Sequence, residues 1–185
     1  MPSKKLDYPK HISLNGNNYD FRPMSQADRD AVVNMARHLP EADLAFMRRD
    51  ITHPEAVDDW VRDIEHARSF TLLVEEAGRL IAYGTLHMDT FYWNRHIGEI
   101  RILVSSQFRN RGLGNRLVRE LVGVGREHGL AKAIIYMAAD DRGARRMVET
   151  LGFQPEAVLA DWVMMRDGRT KDLLIMAAAL KEIKG

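Results

Sequence analysis

Ile100-Arg101-Ile102-Leu103-Val104-Ser105-Ser106-Gln107-Phe108-Arg109-Asn110-Arg111-Gly112-Leu113-Gly114-Asn115 is the stretch on which the reading of this chain turns. An apolar strand runs into a short polar turn, and two glycines then open a helix. The helix is predicted from Gly112 to His128, with Leu113, Leu117, Leu121 and Val124 on one stripe, and Gly129 ends it as a C-terminal cap. The first amides of such a helix have no intrahelical partner and sit at the positive end of its dipole, which makes a site for an anion. Gly112 and Gly114 let a ligand approach the backbone closely. Arg109, Arg111 and Arg116 stand around the same mouth, and five arginines between Gln107 and Arg126 face Glu120 alone. A phosphate-bearing ligand suits this end; the plainer alternative is a glycine turn beside solvated arginines. The turn lacks the third glycine and distant acid of a dinucleotide fingerprint, and no Gly-Lys-Ser/Thr occurs.

Elements on either side follow from periodicity and punctuation. Tyr19 to Met24 alternates as a short strand. Ser25 with Asp28 and Thr52 with Glu55 look like capping boxes ahead of two helices, and Pro40 to Asp50 connects them. Phe70–Glu75 and Leu80–Met88 form a hairpin around Gly78, and a further strand runs from Ile97 to Val104. Lys132–Ala138 reads as a buried strand and Asp141–Leu151 as a helix. Two last strands span roughly Pro155–Met165 and Lys171–Ala177. The order β-α-α-β-β-β-α-β-α-β-β implies a mixed α/β domain of the α+β type, with a sheet covered by helices. Residues 1–18, polar and aperiodic, are expected to be a flexible arm, and residues 19–185 one domain.

Composition narrows the function classes. The 185 residues include no cysteine, which excludes a disulfide framework, thiolate metal sites and cysteine nucleophiles. A net charge of +1 gives no global attraction to nucleic acid or membrane, and no apolar run is long enough to span a bilayer. No signal peptide is recognisable behind Lys4 and Lys5, so a cytoplasmic protein is expected.

Four segments in order resemble one family. Arg109-Asn110-Arg111-Gly112-Leu113-Gly114 matches the Arg/Gln-x-x-Gly-x-Gly/Ala turn of the GNAT superfamily of N-acetyltransferases, and Glu99-Ile100 lead into the strand before it. The long helix through Arg119-Glu120-Leu121 follows. Asp141-Arg142-Gly143-Ala144 and Leu151-Gly152-Phe153 then resemble the family's Asn-x-x-Ala … Leu-Gly-Phe signature. The resemblance covers about Tyr19 to Ala178. It implies a mostly antiparallel sheet of six to seven strands with about four helices, splayed between its fourth and fifth strands, with acetyl-CoA as cosubstrate and no metal. The pyrophosphate is then expected on the backbone of Arg109, Asn110, Arg111, Gly112, Leu113 and Gly114, with Asn115 and Asp141 nearby. Pantetheine is expected along Ile102, Leu103 and Val104.

Acetyl transfer to an amine needs a base for the ammonium proton, a donor for the carbonyl oxygen and a proton for the leaving sulfur. The resemblance points to Glu99 as base, against an ordinary carboxylate paired with Arg95 or Arg101. His96 is a second candidate, by the ordinary imidazole range. The resemblance also suggests a backbone N–H near Val104 as the donor to the carbonyl oxygen. The tyrosine that many GNAT enzymes use as acid falls on Val148, which donates nothing, and Tyr136 is the substitute unless it is a core strand residue. The acceptor is expected to be a small-molecule primary amine or an amino acid. The alternatives are a protein lysine or N-terminus, or an acyl-CoA-binding regulatory module without turnover. Eight acids against three arginines from Pro40 to Glu65 could attract a cationic amine or be solvated helix faces. Phe46, Phe91, Tyr92 and Trp93 are candidate pocket walls. A homodimer is common among similar proteins, though no stretch demands one.

Overall fold

The computed structural model describes residues 7–88 and 93–183. Its strands are β1 (Lys10–Leu14), β2 (Asn17–Pro23), β3 (Ser69–Glu76), β4 (Arg79–Met88), β5 (Ile97–Val104), β6 (Lys132–Ala138), β7 (Gln154–Met164) and β8 (Thr170–Ala179). Its helices are α1 (Arg29–Arg37), α2 (Glu41–Leu44), α3 (Pro54–Glu65), α4 (Leu113–Glu127) and α5 (Arg142–Thr150). The strands form one sheet in the order β1-β2-β3-β4-β5-β6-β8-β7. Every neighbouring pair is antiparallel except β5 and β6, which α4 connects as a parallel pair.

Two differences from the sequence reading have plain causes. Lys10–Leu14 is a strand paired with β2 in the register Ile12↔Tyr19, so the expected arm over residues 1–18 is replaced by structure from Lys10 onward. Its inward positions are Lys10, Ile12 and Leu14, and two apolar residues in five are too few to stand out as alternation. The second addition is the single turn α2, inside the expected connection from Pro40 to Asp50. With β1 added there are eight strands, and the expected fourth and fifth become β5 and β6.

Each sheet face has its own core. Phe21, Leu72, Ile100, Leu117, Leu121 and Phe153 pack beneath α4 and α5. Val33, Val57, Trp60, Leu73, Tyr83 and Leu103 pack beneath α1 and α3. Alternation along β5 therefore sends Ile100 and Ile102 to the first face, and Glu99, Arg101 and Leu103 to the second. α4 presses so closely on the sheet that a Cβ at Gly84 would lie 2.9 Å from Leu121 Cδ1 and 3.1 Å from Leu117 Cδ2. Glu120 of α4 is buried and accepts Tyr8 Oη at 2.7 Å, Lys10 Nζ at 2.7 Å and Arg116 Nη2 at 2.6 Å. The N-terminal segment thus clips the helix that carries the glycine turn.

Candidate active site

The parallel ladder between β5 and β6 lasts three rungs, Ile97↔Lys132, Gly98↔Ala133 and Glu99↔Ile134, and the strands then part. Lys132 donates to the carbonyl of His96 on the β6 side, and Ser105 donates to Ile81 on the β4 side. Two-residue alternation from either anchor turns the backbone groups of Ile102 and Val104 toward the gap. A cleft of about 530 Å³ opens there, within the range of small-molecule sites. Its walls include Ile102 to Val104 from β5, Ile135 to Ala138 from β6, and Gly112 to Asn115 at the start of α4.

Gly112 caps α4 with φ of 87°, a left-handed conformation that favours glycine. Arg116 makes the first helical bond, to the Gly112 carbonyl, so the amides of Leu113, Gly114 and Asn115 precede the helical ladder and point into the mouth. Asn15, in the β1–β2 turn, braces this turn by donating to the Arg111 carbonyl at 3.2 Å. The arginines are engaged elsewhere. Arg109 donates to the Val104 carbonyl at 3.1 Å and pairs with Asp43, while Arg111 reaches Glu76 at 3.4 Å.

A family model, that of the acetyltransferase (GNAT) family, matches residues 34–153. The chain belongs to this family. A curated relative, an uncharacterized N-acetyltransferase of Methanocaldococcus jannaschii, is 28% identical over 72 residues, which are 38% of this chain and 32% of that protein. Among solved structures, yncA from Salmonella typhimurium, determined with its cofactor acetyl-CoA, has TM-score 0.76 at 22% identity, covering 90% of this chain and 96% of that one. A ribosomal-protein-alanine N-acetyltransferase from Brucella melitensis has TM-score 0.75 at 23% identity, covering 86% and 98%. A spermidine N-acetyltransferase from Vibrio cholerae, in complex with CoA and spermine, has TM-score 0.74 at 17% identity, covering 89% and 96%. At these identities the likeness is one of fold, and the gap between β5 and β6 is the expected GNAT splay.

The sequence candidates fall in different places. Tyr136 lines the cleft, and its phenol pKa is raised by burial and by the Glu99 charge, against opposing fields from Arg101 and Arg48. Glu99 sits at the last rung before the strands part, bonded to Arg101 Nε and 3.5 Å from Arg48 Nη1. His96 lies at the closed end, outside the cleft lining, with its carbonyl holding the start of β6. Asp141 caps α5 by accepting the Ala144 amide at 2.9 Å and also lines the cleft, so a carboxylate does the capping work of an asparagine. Val148 is buried in the cleft wall. Phe46 lines the cleft, Trp93 is exposed, and Phe91 and Tyr92 lie outside the described residues.

Sequence reasoning overlooked the polar cluster on the α1–α3 face. His87 of β4 pairs in register with Glu99, and Arg48 and Arg49 reach the same region from the segment after α2. Burial first, then the charges of Arg48, Arg101 and Arg49, push the His87 pKa down to about 3, against a smaller upward pull from Asp63. The imidazole is therefore neutral. One signal was legible: Glu99 and Arg101, two residues apart on a strand, must share a face.

The acidic stretch also reads differently in space. Asp43 pairs with Arg109, Asp50 with Arg166, Asp58 with Arg29, Asp59 with Arg62, and Asp63 with Arg49. Glu41 accepts the Arg166 amide at 2.8 Å. Most of the acids counted in sequence are spent on internal pairs. Among the described residues no group of three His, Asp or Glu side chains could hold a metal, and no helix is long and apolar enough to cross a membrane.

Proposed function

We propose that the protein transfers an acetyl group from acetyl-CoA to a primary amine of a small molecule or amino acid. The observation that carries this reading is the cleft between β5 and β6, with the unpaired amides of α4 at one end and Tyr136 on its wall. Bound acetyl-CoA supplies the acetyl group as a thioester. The amides of Leu113, Gly114 and Asn115 receive the pyrophosphate, and the cleft-facing backbone of Ile102 and Val104 aligns the pantetheine amides. The Val104 N–H sits where charge gathers on the thioester oxygen. Asp141 holds the start of α5 beside them.

The acceptor enters on the α1–α3 face. Its nitrogen forms the new bond to the acetyl carbon as the carbon–sulfur bond breaks. Glu99 takes the first ammonium proton before attack, directly or through water. Tyr136 delivers one to the departing sulfur and recovers, through water, the second proton that the acylated nitrogen sheds. The upward push on its phenol keeps that proton in place at neutral pH. Titration with CoA by calorimetry, followed by thiol release from acetyl-CoA across an amine panel, tests the reading. Saturable heat and amine-dependent thiol release are expected. A folded protein giving no heat with CoA refutes it, and heat without any thiol release supports a binding module instead.

A further inference from the structure

The acceptor side of the cleft holds more positive charge than amine acetylation by itself requires. Arg48, Arg49 and Arg101 surround a small pocket that also touches Met47, Tyr83, Thr85 and His87. Two carboxylates face them. Glu99 is shared by Arg101 and Arg48, and Asp63 by Arg49 and Arg68. Arg49 Nη1 is buried and has no acceptor among the described residues. Arg101 donates through Nε to Glu99. Its guanidinium lies over the Tyr136 ring at 5.6 Å, on the wall of the main cleft.

The small pocket, about 20 Å³, has room for about one water. Met47 and Arg101 line both it and the main cleft, so it is a side chamber of the same site. An anionic group seated at its mouth meets guanidinium donors from two directions. The neutral His87 adds a polar ring without adding charge. Among the described residues Asp43, Asp50 and Asp63 are already paired, which leaves them poorly placed to hold a polyamine.

We infer that the acceptor carries a carboxylate within a few bonds of its amine, as a free amino acid does, and that Arg48, Arg49 and Arg101 bind that carboxylate. Planar guanidinium forks match a carboxylate in bidentate geometry, and a buried donor without an acceptor, Arg49 Nη1, favours a ligand that supplies one. The inference rests on the acetyltransferase reading and narrows its acceptor.

The test compares leucine, methionine and phenylalanine with the amines left by removing their carboxylates, and with spermidine, by thiol release. Each amino acid is expected to exceed its decarboxylated partner in kcat/KM by about 10- to 100-fold, the range of one charge-assisted bond. In Arg48→Ala that ratio should fall toward one, with CoA affinity unchanged by calorimetry. A ratio near one in the wild type, or spermidine as the best acceptor, overturns the inference. The imidazole resonance of His87 gives a readout that does not depend on turnover. N-acetylated amino acids should shift it saturably in the wild type and not in Arg48→Ala, and no shift with any of them also overturns the inference. CoA calorimetry reports on the transferase reading separately, so the two failures are distinguishable.

Discussion

Gly114→Val separates the role of the glycine turn in binding from its role in folding. A Cβ at position 114 lies 3.3 Å from Ile102 Cδ1 and 3.5 Å from Met147 Cε, both at flexible side-chain ends. One methyl therefore fits with small adjustments. Alanine also gains about 1 kcal/mol of helix propensity over glycine, so Gly114→Ala should stay within about 1 kcal/mol of wild-type stability. Valine adds two branches. One overpacks against Ile102 and Met147 at about 1–3 kcal/mol, which for this chain length is a fall of about 2–12 °C in Tm. The other stands over the amides of Gly114 and Asn115. Losing one hydrogen bond to a charged phosphate costs about 1.5–3 kcal/mol, so CoA Kd should rise about 10- to 150-fold in Gly114→Val. The alanine variant should change Kd by less than about threefold, because one methyl leaves the amides open. Calorimetry below the lower Tm, paired with thermal unfolding, measures both quantities. A folded valine variant that binds CoA like the wild type would refute the assignment of the pyrophosphate to these amides.

Three further expectations follow from the geometry. Tyr136→Phe should lower kcat by about 10²-fold with CoA affinity unchanged, and an unaltered kcat would remove Tyr136 as the acid. Glu99→Gln keeps the shape of the side chain and removes its charge; kcat should fall while CoA binding persists, and an unchanged rate across the pH range would exclude it as base. Glu120 has its carboxyl pKa lowered: burial pushes it up, but Lys10, Tyr8 and Arg116 outweigh that push. Its stabilisation is then fully present above the ordinary value of 4.5 and lost as pH falls below it. Glu120→Gln should cost about 1–3 kcal/mol at neutral pH and flatten the acid limb of stability, as chemical denaturation at several pH values would show.

The parts legible in sequence were those set by local rules. The glycine turn, α4, the β3–β4 hairpin and the β5–β6 order followed from period, caps and connection length. β1 was not, because its inward face mixes Lys10 with Ile12 and Leu14, and its strand character comes from pairing with β2 and from Glu120 far along the chain. Thr52 was expected to cap α3, but its hydroxyl donates to Asp50 at 2.6 Å and His53 occupies the cap position instead. The cluster of His87, Arg48, Arg49 and Arg101 needed the segment after α2 laid against the sheet, which no spacing rule supplies. His96 stood close to Glu99 in sequence, yet it belongs to the closed end of the β5–β6 ladder.

Charge counting misled in both directions, for one reason. A window of sequence sums charges that space then pairs. The arginines of the glycine turn look like phosphate ligands, yet Arg109 is held by Asp43 and the Val104 carbonyl, Arg111 by Glu76, Arg116 by Glu120, and Arg119 donates to Asn115. Arg109 ties the turn to α2 and β5 and Arg111 ties it to β3, while Arg116 and Arg119 bond within α4, Arg116 to the buried Glu120 that Tyr8 and Lys10 also reach. What remains open at the mouth is main chain. Backbone amides need no charge to bind an anion, since the helix dipole aligns them and the surrounding pairs fix their direction. On the proposed reading the arginines serve the diphosphate by immobilising its receptor, and Arg49, with a buried donor to spare, lies on the opposite face, where the acceptor would arrive.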